Sequence, residues 1–177
     1  IYSDKSKISN HIELITFLGG KSRSYIDYDG VSNKIIPGSA HFLEHYVCER
    51  SINGNLIDNL KEMGVISSNA STNNFVTSFY ADMVCNFESC LEMFLKCIYN
   101  PVFNEIRDDD DNFRRKISYR IVSNVFYNNV RTLGDMDSVN MIDANYLKKL
   151  YECTYTPSNQ LLVLAGCFDY DDTLKYV

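Results

Sequence analysis

The amino-acid sequence predicts strands and helices alternating within one unit, an α+β or α/β domain. Three observations carry that expectation. Short apolar runs rich in β-branched and aromatic residues recur at 11–18, 65–84 and 160–165. Between them lie stretches whose apolar residues repeat at helical spacing, most clearly Phe87–Tyr99. And 177 residues, 45% hydrophobic and 23% charged, are the size and make-up of one ordinary globular domain.

The elements follow in order. HIELITFL (11–18) reads as a strand. Lys21–Gly38 is polar, contains Gly, Asp and Pro, and reads as a long loop. A helical pattern begins at Ala40. A second helix spans 53–63, with Leu56, Ile57, Leu60 and Met63 on one face and Gly64 as its C-terminal stop. The stretch 65–84 has β-forming residues on both sides of an Asn/Ser-rich turn, so it predicts two strands. In the helix 87–99, Phe87, Leu91, Phe94, Leu95 and Ile98 form the buried stripe, and Asn100-Pro101 ends it. The acidic run Asp108–Asp111 suits a helix N-terminus, and Phe113, Ile117 and Ile121 continue a helix over 113–122. A short helix over 146–153 and a buried strand, QLLVLA (160–165), follow.

The formal net charge of −6 and the lack of a basic stripe argue against nucleic acid as a partner. No apolar run is long enough to span a membrane. Six cysteines sit in apolar helical settings or far apart, with no C-x-x-C spacing. They read as reduced thiols in a cytoplasmic protein rather than as disulfides or a zinc knuckle. The N-terminus has no signal-peptide layout and also no Met, which leaves an organellar or trimmed leader open.

Only three histidines occur, and two of them, His41 and His45, stand four apart around Glu44. Positions i and i+4 stack on one helix face, so the two imidazoles can converge on one zinc ion. Glu44 would lie at the edge of that site, placed to take a proton from a water activated there. H-x-x-E-H is the inverted order of the H-E-x-x-H zinc motif.

The likeness extends beyond these five residues. The run Gly38-Ser39-Ala40-His41-Phe42-Leu43-Glu44-His45 resembles the opening of the metal helix in the M16 zinc metallopeptidases, the inverzincins related to pitrilysin and the mitochondrial processing peptidase. Gly64, Asn69-Ala70, Thr72, Thr77 and Phe79 stand where that family has its helix stop and following strands. Asn100-Pro101-x-Phe103, and Tyr155-x-Pro157-Ser158-Asn159 before an apolar strand and Gly166, resemble later landmarks of its first half. The loop Lys21–Pro37 and Glu49 bring it closest to the YmfH-like bacterial members.

The resemblance implies an α+β metallohydrolase fold of the LuxS/MPP-like type, a mostly antiparallel sheet packed against helices, here truncated. Residues 1–177 would form a single, partial N-terminal metallopeptidase domain. It implies a zinc-dependent endopeptidase, with His41 and His45 as ligands and Glu44 as general base. Asn69, Ala70 and Thr72 would contact a peptide or unfolded polypeptide that adds as a strand. A second M16-like domain, in a homodimer or heterodimer, would complete the chamber.

One departure bears on function. The family's third ligand is a Glu on the helix after the Asn-Pro-x-Phe turn, and this chain has no Glu between Glu105 and Glu152. Ungapped, the ligand position falls on Ser118, and an earlier Glu on Asp111. These share one helix face. Serine is a poor zinc ligand; the third ligand is left open between the Asp111 and Ser118 positions, with any of Asp108–Asp111 able to supply a carboxylate through a shift, and the same acidic run also reads as a solvated helix cap. The alternative is an M16-like subunit, non-catalytic or weakly active, that binds peptide or a partner.

Overall fold

A computed structural model describes residues 1–84, 86–103 and 134–177. Its centre is a five-stranded sheet made of β1 (Tyr2–Ser3), β2 (Asn10–Thr16), β5 (Ser67–Thr72), β6 (Thr77–Met83) and β7 (Gln160–Gly166), in the order β1-β7-β2-β6-β5. Only the β1–β7 pair is parallel; β7–β2, β2–β6 and β6–β5 are antiparallel. The expected α+β class with a mostly antiparallel sheet is borne out.

Alternation along β2 and β6 explains how the sheet is covered. Asn10, Ile12, Leu14 and Thr16 are buried, as are Thr77, Phe79, Ala81 and Met83, and the residues between them are only partly so. One face therefore carries the core. Against that core pack α1 (Ser39–Glu49), α2 (Leu56–Glu62), α3 (Phe87–Tyr99) and α5 (Ala144–Thr154). Two short helices, α4 (Met136–Asn140) and α6 (Tyr170–Thr173), complete the described elements with 3₁₀ turns at Pro157–Asn159 and Leu174–Tyr176.

Three expectations need correction. The stretch expected as one long loop carries a hairpin of its own, β3 (Ser24–Ile26) with β4 (Ser32–Lys34). Its turn is closed by Asp27, whose carboxylate accepts from the backbone N–H of Asp29 and Val31 and from the Asn33 amide. Side-chain bonding of that kind builds turns without any apolar signal. The second helix starts at Leu56 rather than at residue 53, because Asn55 caps it, accepting from the N–H of Ile57 and Asp58. The first long strand stops at Thr16 rather than 18, where the chain turns against the β5–β6 loop: Gly20 and Lys21 donate to the carbonyls of Asn73 and Asn74. The helix expected over 113–122 lies outside the described residues.

Candidate metal centre

Helix α1 presents the histidine pair from the site side of the core. Its apolar residues Ala40, Phe42, Leu43, Tyr46 and Val47 are buried and fix its rotation. An aromatic series supports it from beneath: Tyr46 stacks on Phe103 at 5.0 Å, Phe103 meets Tyr151 at 5.5 Å, and Tyr151 stacks on Tyr155 at 4.9 Å.

The start of α1 is held from outside the helix. Gly38 is its N-cap, left-handed at φ 88°, with no side-chain cap. Only glycine enters that conformation freely. Ser39 Oγ donates to the Ile36 carbonyl at 2.6 Å and lies 3.0 Å from the Tyr146 hydroxyl, which also accepts from the Ile36 N–H at 2.9 Å. Gly134 closes the other side. It has φ 76°, and a Cβ there would stand 2.5 Å from the Pro37 carbonyl oxygen.

Within α1, His41, Glu44 and His45 form a group whose ligand atoms all lie within 4.8 Å of one another. The imidazoles meet edge to face, with centroids 4.8 Å apart and planes at 89°. Two ligands on one zinc at about 2.1 Å each can be at most about 4.2 Å apart. Small side-chain rotations would therefore let both histidines reach one ion, so the donor set fits zinc. Glu49, one turn beyond His45, places a carboxylate oxygen 3.6 Å from its Nδ1. A modest side-chain rotation would bring the two within hydrogen-bond reach, the kind of contact that orients a ligating imidazole.

Glu44 is 6% exposed, so its carboxyl is nearly dry. Thr72 on β5 donates to Glu44 Oε2 at 2.6 Å. Its Oγ1 also lies 3.0 Å from that of Thr77, its cross-strand partner, and Thr77 in turn donates to the Leu18 carbonyl at 2.9 Å. Two neighbouring groups register the environment. Burial pushes the Tyr155 hydroxyl well up, and the Glu44 charge adds to it. Burial likewise raises the Cys48 thiol, with Glu44 and Glu49 contributing.

Among the described residues β5 is the edge of the sheet, paired only with β6. Asn69 and Ala70 sit on it, and Asn69 Oδ1 accepts from the Ala70 N–H at 2.9 Å. The structure thus brings His41, Glu44, His45 and Thr72 together and sets Asn69 and Ala70 along the adjoining strand. Asp111 and Ser118 lie outside the described residues.

No family model matches the chain. It is 25% identical over 177 residues to a protein of Bacillus subtilis (strain 168) named "Uncharacterized zinc protease YmfH", covering 85% of this chain and 41% of that protein. A crystal structure described as an M16-like peptidase from Alicyclobacillus acidocaldarius superposes with a TM-score of 0.86 at 22% identity, over 98% of this chain and 44% of the other. A protease from Helicobacter pylori superposes at 0.77 with 17% identity, over 98% and 45%. The chain has the M16-like peptidase fold. The M16 recognition made on the sequence is borne out by this fold together with the zinc-protease relative. The chain spans less than half the length of these relatives. No described helix is long and apolar enough to cross a membrane.

Two residues that shape the site, Tyr146 and Gly134, escaped the sequence reading, and two that it named as landmarks, Tyr155 and Thr77, were not read as neighbours of the site. Each comes from a distant part of the chain or acts through a contact with no periodic signature. Glu49 carried a signal, since it follows His45 by four residues on the same helix face.

Proposed function

We propose that this chain is the metal-bearing domain of an M16-type zinc endopeptidase that cleaves peptides or unfolded segments. The observation that carries the reading is the convergence of His41, Glu44 and His45 within 4.8 Å. His41 and His45 would hold zinc, with Glu49 orienting His45. When bound, zinc supplies a Lewis acid that acidifies water and polarises the scissile carbonyl. The carboxylate of Glu44 would take the proton of the attacking water and hand it to the departing amine. Its burial in a nearly dry setting strengthens that exchange.

The substrate would add as a strand to β5 near Asn69, Ala70 and Thr72. Backbone pairing there reads little sequence, which suits unfolded polypeptides. We take residues 1–177 as a single, partial N-terminal domain that works with a second M16-like domain, in a homodimer or heterodimer, because β5 has one described neighbour and the relatives are more than twice as long. The thiols of Cys48, Cys97, Cys153 and Cys167 are reduced, in keeping with the reducing, cytoplasmic setting that the cysteine pattern implies.

A third protein ligand would come from Asp111 or the Ser118 position. The lack of a glutamate between Glu105 and Glu152 favours a second reading, an M16-like subunit that binds peptide or a partner without turnover.

The test is zinc content and hydrolysis of a flexible peptide of about 20 residues, long enough for an extended strand. Zinc-loaded chain should cleave it in a chelator-sensitive way, well below the roughly 10 per second of typical enzymes. Glu44→Gln should keep the metal and lose at least about a hundredfold in rate; His45→Ala should lose the metal. Equal zinc loss in both variants would make Glu44 a ligand. Peptide binding without turnover would favour the second reading.

A further inference from the structure

The strongest feature that the metal reading leaves unused is the pair of threonines at the β5–β6 turn. Thr72 and Thr77 face each other across the antiparallel ladder, and their hydroxyl oxygens are 3.0 Å apart. Thr77 is fully buried. Its single proton is committed, because the Leu18 carbonyl 2.9 Å away can only accept. Toward Thr72, Thr77 therefore offers a lone pair. Thr72 has one proton and two candidate acceptors, Thr77 Oγ1 and Glu44 Oε2, the latter at 2.6 Å. A carboxylate is the stronger acceptor, and the short distance is that of a charge-assisted hydrogen bond.

We propose that Thr72, held by Thr77, is a positioning residue for Glu44 rather than a substrate contact. Its hydroxyl fixes the direction of the Glu44 carboxylate from a strand paired with β6 along its length. This rests on the reading of Glu44 as general base. A base must stand within hydrogen-bond reach of the proton it takes, and a displacement of about 1 Å can cost about a hundredfold in rate. Glutamate brings three rotatable bonds to that task, and α1 controls only its Cα. The Thr72 bond ties the far end of the side chain to the strand on which substrate would lie.

The experiment compares Thr72→Val, Thr72→Ser and Glu44→Gln with the parent chain. Valine keeps the shape and the backbone pairing and removes only the hydroxyl. Zinc stoichiometry, kcat and KM on the flexible peptide, and the Glu44 carboxylate stretch in the infrared (parent minus Glu44→Gln) are measured. Thr72→Val should hold zinc as the parent does, lose about tenfold to a hundredfold in kcat, keep KM within about twofold, and shift the carboxylate band. Thr72→Ser should restore both kcat and band. An unmoved band overturns the proposal. So does parental kcat, or a loss confined to KM, which would make Thr72 a substrate contact. If the parent chain itself does not cleave, the peptidase reading fails, and the infrared band alone still decides the role of Thr72. If Thr72→Val fails to fold, Thr72→Ala is judged by the same criteria.

Discussion

Helices α1 and α3 pack against each other on the same side of the same sheet, and their buried faces differ in kind. Helix α3 buries Phe87, Cys90, Leu91, Phe94, Cys97 and Ile98. Its termini agree with its dipole, with Glu88 in the first turn and Lys96 in the last, and Lys96 pairs with Glu92 at 2.7 Å on the exposed side. Helix α1 buries Ser39 and Glu44 among its apolar residues and has no acid in its first turn and no base in its last, while both helices start at a left-handed residue without a side-chain cap, Gly38 and Asn86. A helix built like α3 stabilises itself and the core. A helix built like α1 depends on others, on Tyr146 and Gly134 at its start, on Thr72 at Glu44, and on the aromatic series beneath. Polar groups placed for chemistry cost stability, and that cost is offset elsewhere in the fold.

Three substitutions probe this contrast. The largest effect is expected from Leu91→Ala in α3. Leu91 is fully buried, so truncation should cost about 2–5 kcal/mol in chemical denaturation. Zinc bound per folded molecule should stay the same, because α3 contributes no donor. A loss of zinc without a loss of stability would show that α3 belongs to the site. Next comes Tyr146→Phe, which leaves the Ile36 N–H without its acceptor at the start of α1. We expect about 1–3 kcal/mol of destabilisation and, unlike Leu91→Ala, weaker zinc binding by the molecules that remain folded. If zinc affinity were untouched, the start of α1 would be independent of the metal-binding face. The smallest effect is expected from Lys96→Ala. Its pair with Glu92 is about half exposed at both ends, so the unfolding free energy should change by no more than about 0.5 kcal/mol. A larger change would mean that α3 relies on its surface as α1 relies on its neighbours.

The same contrast explains what could be read from the sequence. The bounds of α3 were legible to the residue, because Phe87, Leu91, Phe94 and Ile98 keep helical spacing and Asn100-Pro101 follows. The pair β5 and β6 was legible from its β-forming residues and turn. Helix α1 was recognised through His41, Glu44 and His45, whose spacing has chemical meaning, more than through amphipathicity. The β3–β4 hairpin was not legible, since Asp27 and Asn33 build it with polar side chains that resemble any loop. Nor was the Tyr146 contact, because residues 110 positions apart share no local pattern. Thr72 was singled out, but for a substrate role. Its contact with Glu44 needs the packing of β5 against α1, which no spacing along the chain encodes.

The order of strands in the sheet sets the order in which this protein can be assembled during synthesis. β2 lies between β6 and β7, with His11 opposite both Asp82 and Ala165. Everything described that carries the histidine pair and its nearest strands, from β2 through α3, is complete by Tyr99. A ribosome adding about 5–20 residues per second needs several seconds more to reach Gly166. Until β7 is made, β2 has one bonded edge and one bare edge, and until Tyr146 is made α1 lacks that contact. A chain folding as it is made would therefore pass through a stage in which the histidine pair is present without its later supports and an unpaired strand lies beside it. That is the stage most exposed to mispairing and to chaperones, and it is set by the position of β7 in the sheet.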